Sequence, residues 1–570
     1  MKVLQFDVDN MTYELVKPEA KVYEESAEKK VSVDDAVVMF VSVERGDDKT
    51  IADAAVADVK KYMAQLKRKK LVVYPFAHLS SELSGPKEAM ELIAYISESA
   101  AKDLEVKKAP FGWNKKFTIS VKGHPMAEQS RSYGIGKEAK KTEKHASAAS
   151  VEINTAIVKK SDWSGLPEAD HRTIGEKLDL YSFQEVSPAM VYWHGKGWLL
   201  YRELVRFIRE KEEEYDYDEI STPAIANMAL WHVSGHNQHY SDDMFVFDSS
   251  FGRVGLKPMN CPSTILIYKS RRWSYKELPF RTATFDKIYR SELSGAVTGL
   301  FRVKELTQDD GHIFLREDQV EEEITKMLKM IKDVYAVFGM EFKAKLSTMP
   351  DDHAGDEKTW EMATNRLKAA LEKNKMKYEI KDKEGSFYAP KIDFDVYDSI
   401  GRAWQCATIQ ADYQMPIKFN LEYADEEGKQ ATPVILHRAV LGSLERFIGV
   451  LVEHYQGKFP LWLAPVQVRV ISISEQSNAY AESVHSELKK NKIRSSLDIS
   501  DKTLEYKVRE AQLQKIPLML ILGKKEDESK TLTIRELSGK QKRAVNAAEF
   551  IAAAKKAIEN RLNSLENFMA

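Results

Sequence analysis

Apolar and polar positions follow two rhythms in the first part of the chain. Residues 3–8 (VLQFDV) and 36–43 (AVVMFVSV) are apolar runs of strand length, whereas Ile51, Ala55, Val59, Tyr62, Met63 and Leu66 recur at helical spacing. A strand at 71–75, a helix near 86–102 and a strand at 116–121 complete a compact α/β domain over residues 1–133. Residues 134–165 have little to bury; Lys137, Lys140, Lys141, Lys144, Lys159 and Lys160 mark a linker.

The pattern resumes over 166–463. Leu199, Leu200, Leu204, Phe207 and Ile208 share one face of a helix spanning 198–214, and residues 217–223 (YDEISTP) read as a strand stopped by Pro223. Strand patterns at 283–290 and 300–306 flank a glycine-containing turn, and 391–397 and 404–412 alternate clearly; an antiparallel sheet faced by helices is expected. After Pro465 the pattern resets. Strands at 468–473, 517–522 and 531–534, helices at 478–490 and 504–514 and a long final helix predict a second α/β domain, 464–570.

Composition supports several folded domains, with 43% apolar residues in a chain of 570. Lys plus Arg (85) nearly balances Asp plus Glu (87), so a nucleic-acid partner would be held by local patches rather than by net charge. The two cysteines, Cys261 and Cys406, offer no disulfide framework. The opening MKVLQFDVD carries acids where a targeting peptide is apolar or basic, and no apolar run is long enough to cross a membrane; a cytoplasmic protein is expected.

Candidate chemistry concentrates between Lys257 and Phe314, where Cys261, Arg281, Arg290, Arg302 and the acidic turn before His312 suit a metal-assisted reaction on a polyphosphate. Arg290 and Arg302 would face a common space if their strands pair, and Arg446 lies at a helix start, a favourable place for phosphate. Two sets could hold a metal. His232, His236 and His239 begin with i, i+4 spacing but are interrupted by Gly235, whereas Cys261, His312 and His437 have no local pattern. In the first domain His78, Ser80, Glu82, Lys122 and His124 could line a small pocket at strand ends. Between Lys489 and Lys525 ten Lys or Arg stand against four Asp or Glu, a candidate nucleic-acid face.

Residues 289–292 (YRSE) with Arg302 resemble motif 2 of the class II aminoacyl-tRNA synthetases, residues 441–446 (LGSLER) motif 3, and the helix and strand ending at Pro223 motif 1. Residues 257–262 (KPMNCP), 306–312 (LTQDDGH), 387–391 (FYAPK), 404–408 (WQCAT) and 436–443 (LHRAVLGS) are similar to the threonyl-tRNA synthetases in particular. In the first domain, 74–83 (YPFAHLSSEL), 107–112 (KKAPFG) and 121–125 (VKGHP) resemble the archaeal-type editing domain, itself similar to D-aminoacyl-tRNA deacylases. The last domain resembles the class II anticodon-binding domain.

The resemblance implies one Zn²⁺ on Cys261, His312 and His437, taking the amino and hydroxyl groups of threonine, with Asp310, Gln308, Tyr388 and Gln410 around the substrate. It implies ATP with Mg²⁺ against Arg290, Glu292, Arg302, Gln405, Thr408, Ser443 and Arg446, with Arg290, Arg446, Lys391 and Gln308 serving the reaction. It further implies a homodimer through motif 1, tRNA(Thr) as partner, editing by His78, Lys122 and Glu128, and anticodon contacts from Glu526 and Arg535. The chain departs from the family pattern at Leu306, where an aromatic usually stacks on adenine, at Ser263 and Thr264, and at Asp501.

Overall fold

In a computed structural model of the chain, the residues described are 1–19, 22–80, 83–124, 126–133, 163, 165–239, 243–293, 295–397 and 401–569, with only the backbone of His78, His239, Glu566 and Asn567. The expected linker lies outside them apart from Trp163 and Gly165. Two compact units form, Met1–Val151 and Glu152–Ala570.

The first unit is a sheet in the order Glu105–Lys108, Lys70–Pro75, Lys30–Ser42, Lys2–Pro18, Trp113–Val121, with Glu128–Ser132 also paired to Lys2–Pro18. The helices Lys49–Leu66 and Pro86–Ala100 bury Ala55, Val59, Met63, Ile93 and Ile96 against Val37, Met39 and Val41. The strand Lys30–Ser42 is buried on both faces from Val37 onward, which accounts for its unbroken apolar run. Its other face carries aromatic rings: Phe40 meets Tyr74 at 5.0 Å, Phe76 at 5.1 Å and Phe117 at 5.7 Å.

The second unit holds a nine-stranded sheet ordered Tyr378–Lys381, Lys343–Ser347, Lys391–Tyr397, Ala403–Asp412, Val434–Ser443, Glu305–Leu315, Phe280–Thr284, Asp218–Glu219, with Lys287–Tyr289 also paired to Glu305–Leu315. Its central pairs are antiparallel, as expected, and only the edge strands Tyr378–Lys381 and Asp218–Glu219 join in parallel. The helices Gly195–Glu214, Val320–Phe338 and Leu444–Tyr455 close the core through Leu204, Phe207, Ile331, Phe338, Phe447 and Leu451.

Three expected strands are corrected. Of 217–223 only Asp218–Glu219 pairs, because Asp286 accepts from the Thr222 backbone N–H (2.6 Å) and hydroxyl (3.0 Å) and turns the chain aside. The run 283–290 divides into Phe280–Thr284 and Lys287–Tyr289, with the Asp286 N–H given to Thr284 Oγ1. Residues 300–306 are mostly a turn before Glu305–Leu315; Leu300 and Phe301 both enter the core instead of alternating.

The last domain is a five-stranded sheet, Ser495–Asp498, Val468–Ser472, Leu518–Leu522, Thr531–Glu536, Gln541–Asn546, followed by the long helix Ala547–Glu559 and the short one Glu566–Met569. It is fastened to the helix Gly195–Glu214 by Arg494 on Glu203 (3.3 Å) and by Arg561, which pairs with Glu210 and lies 4.6 Å over the Phe207 ring.

Candidate functional site

Side chains two apart on a strand share a face, so Gln308, Asp310 and His312 of Glu305–Leu315 project together, as do Thr408 and Gln410 of Ala403–Asp412. Between these strands runs Val434–Ser443, whose His437 stands opposite both His312 and Gln410. This register opens a cavity of about 390 Å³ on one face of the sheet. Lining it are Cys261, Arg290, Glu292, Arg302, Gln308, Asp310, His312, Tyr388, Gln405, Thr408, Gln410, His437, Ser443 and Arg446. Every residue that the family resemblance implied for this domain's site, except Lys391, is thus gathered in one place. Lys391 pairs instead with Asp393 (2.7 Å), which also accepts from Gln405 (2.7 Å) and Thr408 (2.9 Å).

At one end Cys261, His312 and His437 bring their ligand atoms within 4.8 Å of one another, all three residues buried. Cys261 opens the helix Cys261–Lys269, and burial, with Asp310 and Asp412 nearby, pushes its thiol up, so a bound cation would be needed to hold it as a thiolate. His437 Nε2 meets Asp412 Oδ2 at 2.9 Å, and the buried His312 Nδ1 has no protein partner. Two imidazoles and a thiol, one imidazole oriented by a carboxylate and another with an orphaned nitrogen, fit a zinc ion. Beside them Asp310 accepts from Asn260 Nδ2 at 3.2 Å, and burial pushes its carboxyl up to about 6 against the pull of His437. The Tyr388 hydroxyl donates to Gln410 Oε1 at 2.6 Å.

The other end is cationic. Arg302 forms a pair with Glu292 (2.7 Å), Arg290 Nε reaches the Pro258 carbonyl (3.3 Å), and Arg446 donates to the carbonyls of Phe301 and Gln405 (both 2.9 Å). Burial lowers the Arg446 pKa, and Arg290 and Arg302 add to that, so the three cations favour an anion between them. Ser443 caps the helix Leu444–Tyr455 by accepting from the Arg446 N–H. Before it, Gly442 at φ +74° has no room for a side chain, since a Cβ would lie 2.3 Å from the Cys406 carbonyl oxygen. Leu306 and Phe301 also line this end.

Sequence patterns missed the support beneath the cavity. Arg438, 1% exposed, joins Glu212 (2.5 Å) of the helix Gly195–Glu214 to the Asp309 carbonyl (3.0 Å). The Asp309 carboxylate in turn takes the backbone N–H groups of Val440, Leu441 and Gly442 at 2.8 to 2.9 Å, and burial pushes it up to about 7. Arg281, expected near the phosphates, is instead paired fork to fork with Glu323 at 2.7 Å. In the rival histidine set, His232 is exposed and His239's side chain lies outside the described residues, while buried His236 comes within 3.9 Å of Cys261 Sγ.

The first unit has its own cavity, about 420 Å³, lined by Tyr74, Phe76, Trp113, Lys115, Phe117 and Ser84 among others. Lys122 does not line it and is held by Asp9 (2.9 Å) and Asp35 (2.8 Å); exposed Glu128 is also absent, and His124 is bound to Asp7 at 3.0 Å. The His78 side chain and all of Glu82 lie outside the described residues. Ser80 donates its hydroxyl to Glu44. Among the described residues the lysine that does line the cavity is Lys115, which donates to the carbonyls of Pro110 (2.7 Å) and Trp113 (3.2 Å). Burial lowers its pKa to about 8. Its position two residues after Trp113 and two before Phe117 was the available signal. In the last domain Glu526 accepts from Gly523 N–H (3.0 Å) and Thr533 Oγ1 (2.8 Å), capping its own helix, and Arg535 Nε is buried without a partner.

Three known families match stretches of the chain. Residues 1–133 match the family described as the Archaea-specific editing domain of threonyl-tRNA synthetase, 245–455 the tRNA synthetase class II core domain (G, H, P, S and T), and 467–557 the anticodon binding domain. The chain is 46% identical over 398 residues to a threonine–tRNA ligase catalytic subunit of Sulfurisphaera tokodaii, covering 69% of this chain and 74% of that protein. It is also 46% identical over 415 residues to a threonine–tRNA ligase of Clostridium tetani, covering 72% of this chain but 65% of that longer protein. Among solved structures, that of the RNA binding domain of threonyl-tRNA synthetase from Cryptosporidium parvum aligns with a TM-score of 0.66 at 41% identity, covering 68% of this chain and 98% of the other. A threonyl-tRNA synthetase from Aeropyrum pernix aligns at 0.60 and 28% identity, over 70% and 97%.

Proposed function

Because the chain belongs to the threonyl-tRNA synthetase family, we propose that it joins threonine to tRNA(Thr) using ATP and that its N-terminal unit hydrolyses Ser-tRNA(Thr). One observation carries the first part: a single cavity with Cys261, His312 and His437 at one end and Arg290, Arg302 and Arg446 at the other, an amino-acid site abutting a polyphosphate site.

Zinc bound by Cys261, His312 and His437 would offer threonine's amino and hydroxyl groups an open coordination position. Asp310 accepts a hydrogen bond from the hydroxyl, while Gln308, Gln410 and Tyr388 wall the pocket. Arg290 receives the α-phosphate and the reacting carboxylate; Arg302 and Arg446 hold the remaining phosphates with Mg²⁺, and Glu292, Gln405, Thr408 and Ser443 complete the nucleotide pocket. The carboxylate attacks the α-phosphorus and pyrophosphate leaves. Positioning and charge neutralisation suffice, so no nucleophilic side chain is needed. Lys391 serves indirectly, by holding Asp393 between Gln405 and Thr408.

Valine would leave the hydroxyl-binding groups unpaired, but serine loses only a methyl, a difference of roughly 1 to 3 kcal/mol. A second site is therefore required, and the 420 Å³ cavity supports that role. Its cation is Lys115 rather than Lys122. The anticodon would meet the C-terminal domain, where unpartnered Arg535 Nε is the better candidate and Glu526 is committed to its helix. A homodimer through the helix Gly195–Glu214 and a cytoplasmic setting complete the reading.

Incubation with ATP, labelled threonine and tRNA(Thr) is expected to yield threonyl-tRNA. Adenylate formation without transfer would make the chain an amino-acid adenylating relative instead, and neither activity would leave an RNA-binding protein that kept the fold.

A further inference from the structure

Three groups of metal-ligand type, Asp170, His171 and Glu453, meet in the core away from the zinc-type triad. All are committed to protein partners. Asp170 caps its helix and accepts both the Nε (2.9 Å) and Nη2 (2.8 Å) of Arg172. Glu453 Oε1, on the helix Leu444–Tyr455, accepts from the His171 backbone N–H (3.1 Å) and faces its Nδ1 (2.9 Å). With Nδ1 donating to a carboxylate, Nε2 is left as an acceptor, and the Leu300 N–H donates to it at 3.1 Å.

That single bond reaches the nucleotide end of the cavity. Phe301, the next residue, lies with its ring 4.1 Å from the His171 ring and 4.2 Å, stacked, from Trp404. Its carbonyl receives Arg446 Nε at 2.9 Å, and Arg302 follows directly. Gly299, at φ +49°, lets the loop approach: a Cβ there would stand 2.3 Å from His171 Nε2. The approach is closed on both sides, by a buried imidazole and by a residue without a side chain.

We propose that His171 is a positioning residue of the nucleotide site, holding the 299–302 loop through Leu300 so that the Phe301 carbonyl and ring set Arg446 and Arg302 for the triphosphate. This rests on the synthetase reading above. His171 touches neither the amino-acid end nor any of the three zinc-type ligands, so its effect falls on ATP alone.

The test is His171→Asn, whose amide can keep a donor toward Glu453 but offers no acceptor at the Nε2 position, beside Gly299→Ala, which disturbs the same contact from the loop. Michaelis constants for ATP and threonine are measured in pyrophosphate exchange, with binding of a non-hydrolysable ATP analogue measured separately by calorimetry. Each variant is expected to weaken ATP about tenfold, the scale of one lost buried hydrogen bond, with the threonine constant within about twofold of the parent. Unchanged ATP binding in either folded variant, or equal loss for both substrates, would overturn the proposal. An unaltered chain that binds the analogue but exchanges nothing would instead count against the synthetase reading, and the calorimetric comparison would still decide the role of His171.

Discussion

His437 and Asp412 are joined ring to carboxylate, Nε2 to Oδ2 at 2.9 Å, in a nearly dry part of the sheet. The other oxygen of Asp412 is fixed by the backbone N–H groups of Gln414 (2.8 Å) and Met415 (2.9 Å), so the carboxylate cannot swing and the imidazole is aimed by the strand end itself. Aiming a ligand from outside the coordination sphere is worth about 10- to 100-fold in metal affinity. Asp412→Ala should therefore retain the fold and lose zinc to a competing chelator by that factor. Equal affinity in parent and variant would mean that packing alone holds His437.

The buried Glu212–Arg438 pair predicts an asymmetric pattern of stability. Glu212→Ala strands a guanidinium that is 1% exposed, and breaking such a pair costs about 3 to 5 kcal/mol, read as a fall in the thermal midpoint of the second unit. Glu212→Leu combined with Arg438→Met should recover much of that stability, because two apolar groups need no partner. Exchange activity should not recover, since Arg438 also holds Asp309 and lines the cavity. Recovery of both would reduce Arg438 to a structural group.

Lys115 gives the N-terminal unit a pH signature. Burial lowers its pKa to about 8 in the folded unit against about 10.5 unfolded, so between those values the unfolded chain binds more protons and stability rises with pH. The difference in urea midpoint between the parent and Lys115→Met should therefore shift in the parent's favour from pH 8 to pH 10. A pH-independent difference would place the amine in water.

Editing separates the two lysines. Lys115→Met is expected to slow Ser-tRNA(Thr) hydrolysis by about a hundredfold, the lower end of the range for loss of a positioned acid or base, whereas Lys122→Met should leave it nearly intact, its ammonium being tied to Asp9 and Asp35 outside the cavity. The reverse ranking would restore Lys122 to the site and remove Lys115.

Much of this architecture was legible in the residues. The long helical face of Leu200, Leu204, Phe207 and Ile208 is buried as read, with Leu199 only partly so, whereas the acidic stretch before His312, expected to be a turn, is strand, and that pairing puts Gln308, Asp310 and His312 on one face. What escaped depends on partners far apart in sequence. The turn at 300–303 could not be distinguished from a strand without His171, 129 residues earlier, to take the Leu300 N–H. Arg281 looked like a phosphate ligand until Glu323, 42 residues on, claimed its fork. The metal-type triad has no local spacing because its members lie at a helix start and on two adjacent strands, so only resemblance could single it out.

Amino-acid-dependent ATP–pyrophosphate exchange with threonine, serine and valine, before and after removal of metal, tests the central claim most directly. Exchange with threonine, weaker exchange with serine, none with valine, and loss on stripping that zinc restores are predicted from Cys261, His312 and His437 standing beside Asp310. Undiminished exchange without metal, or ready use of valine, would contradict that assignment and the account of specificity built on it.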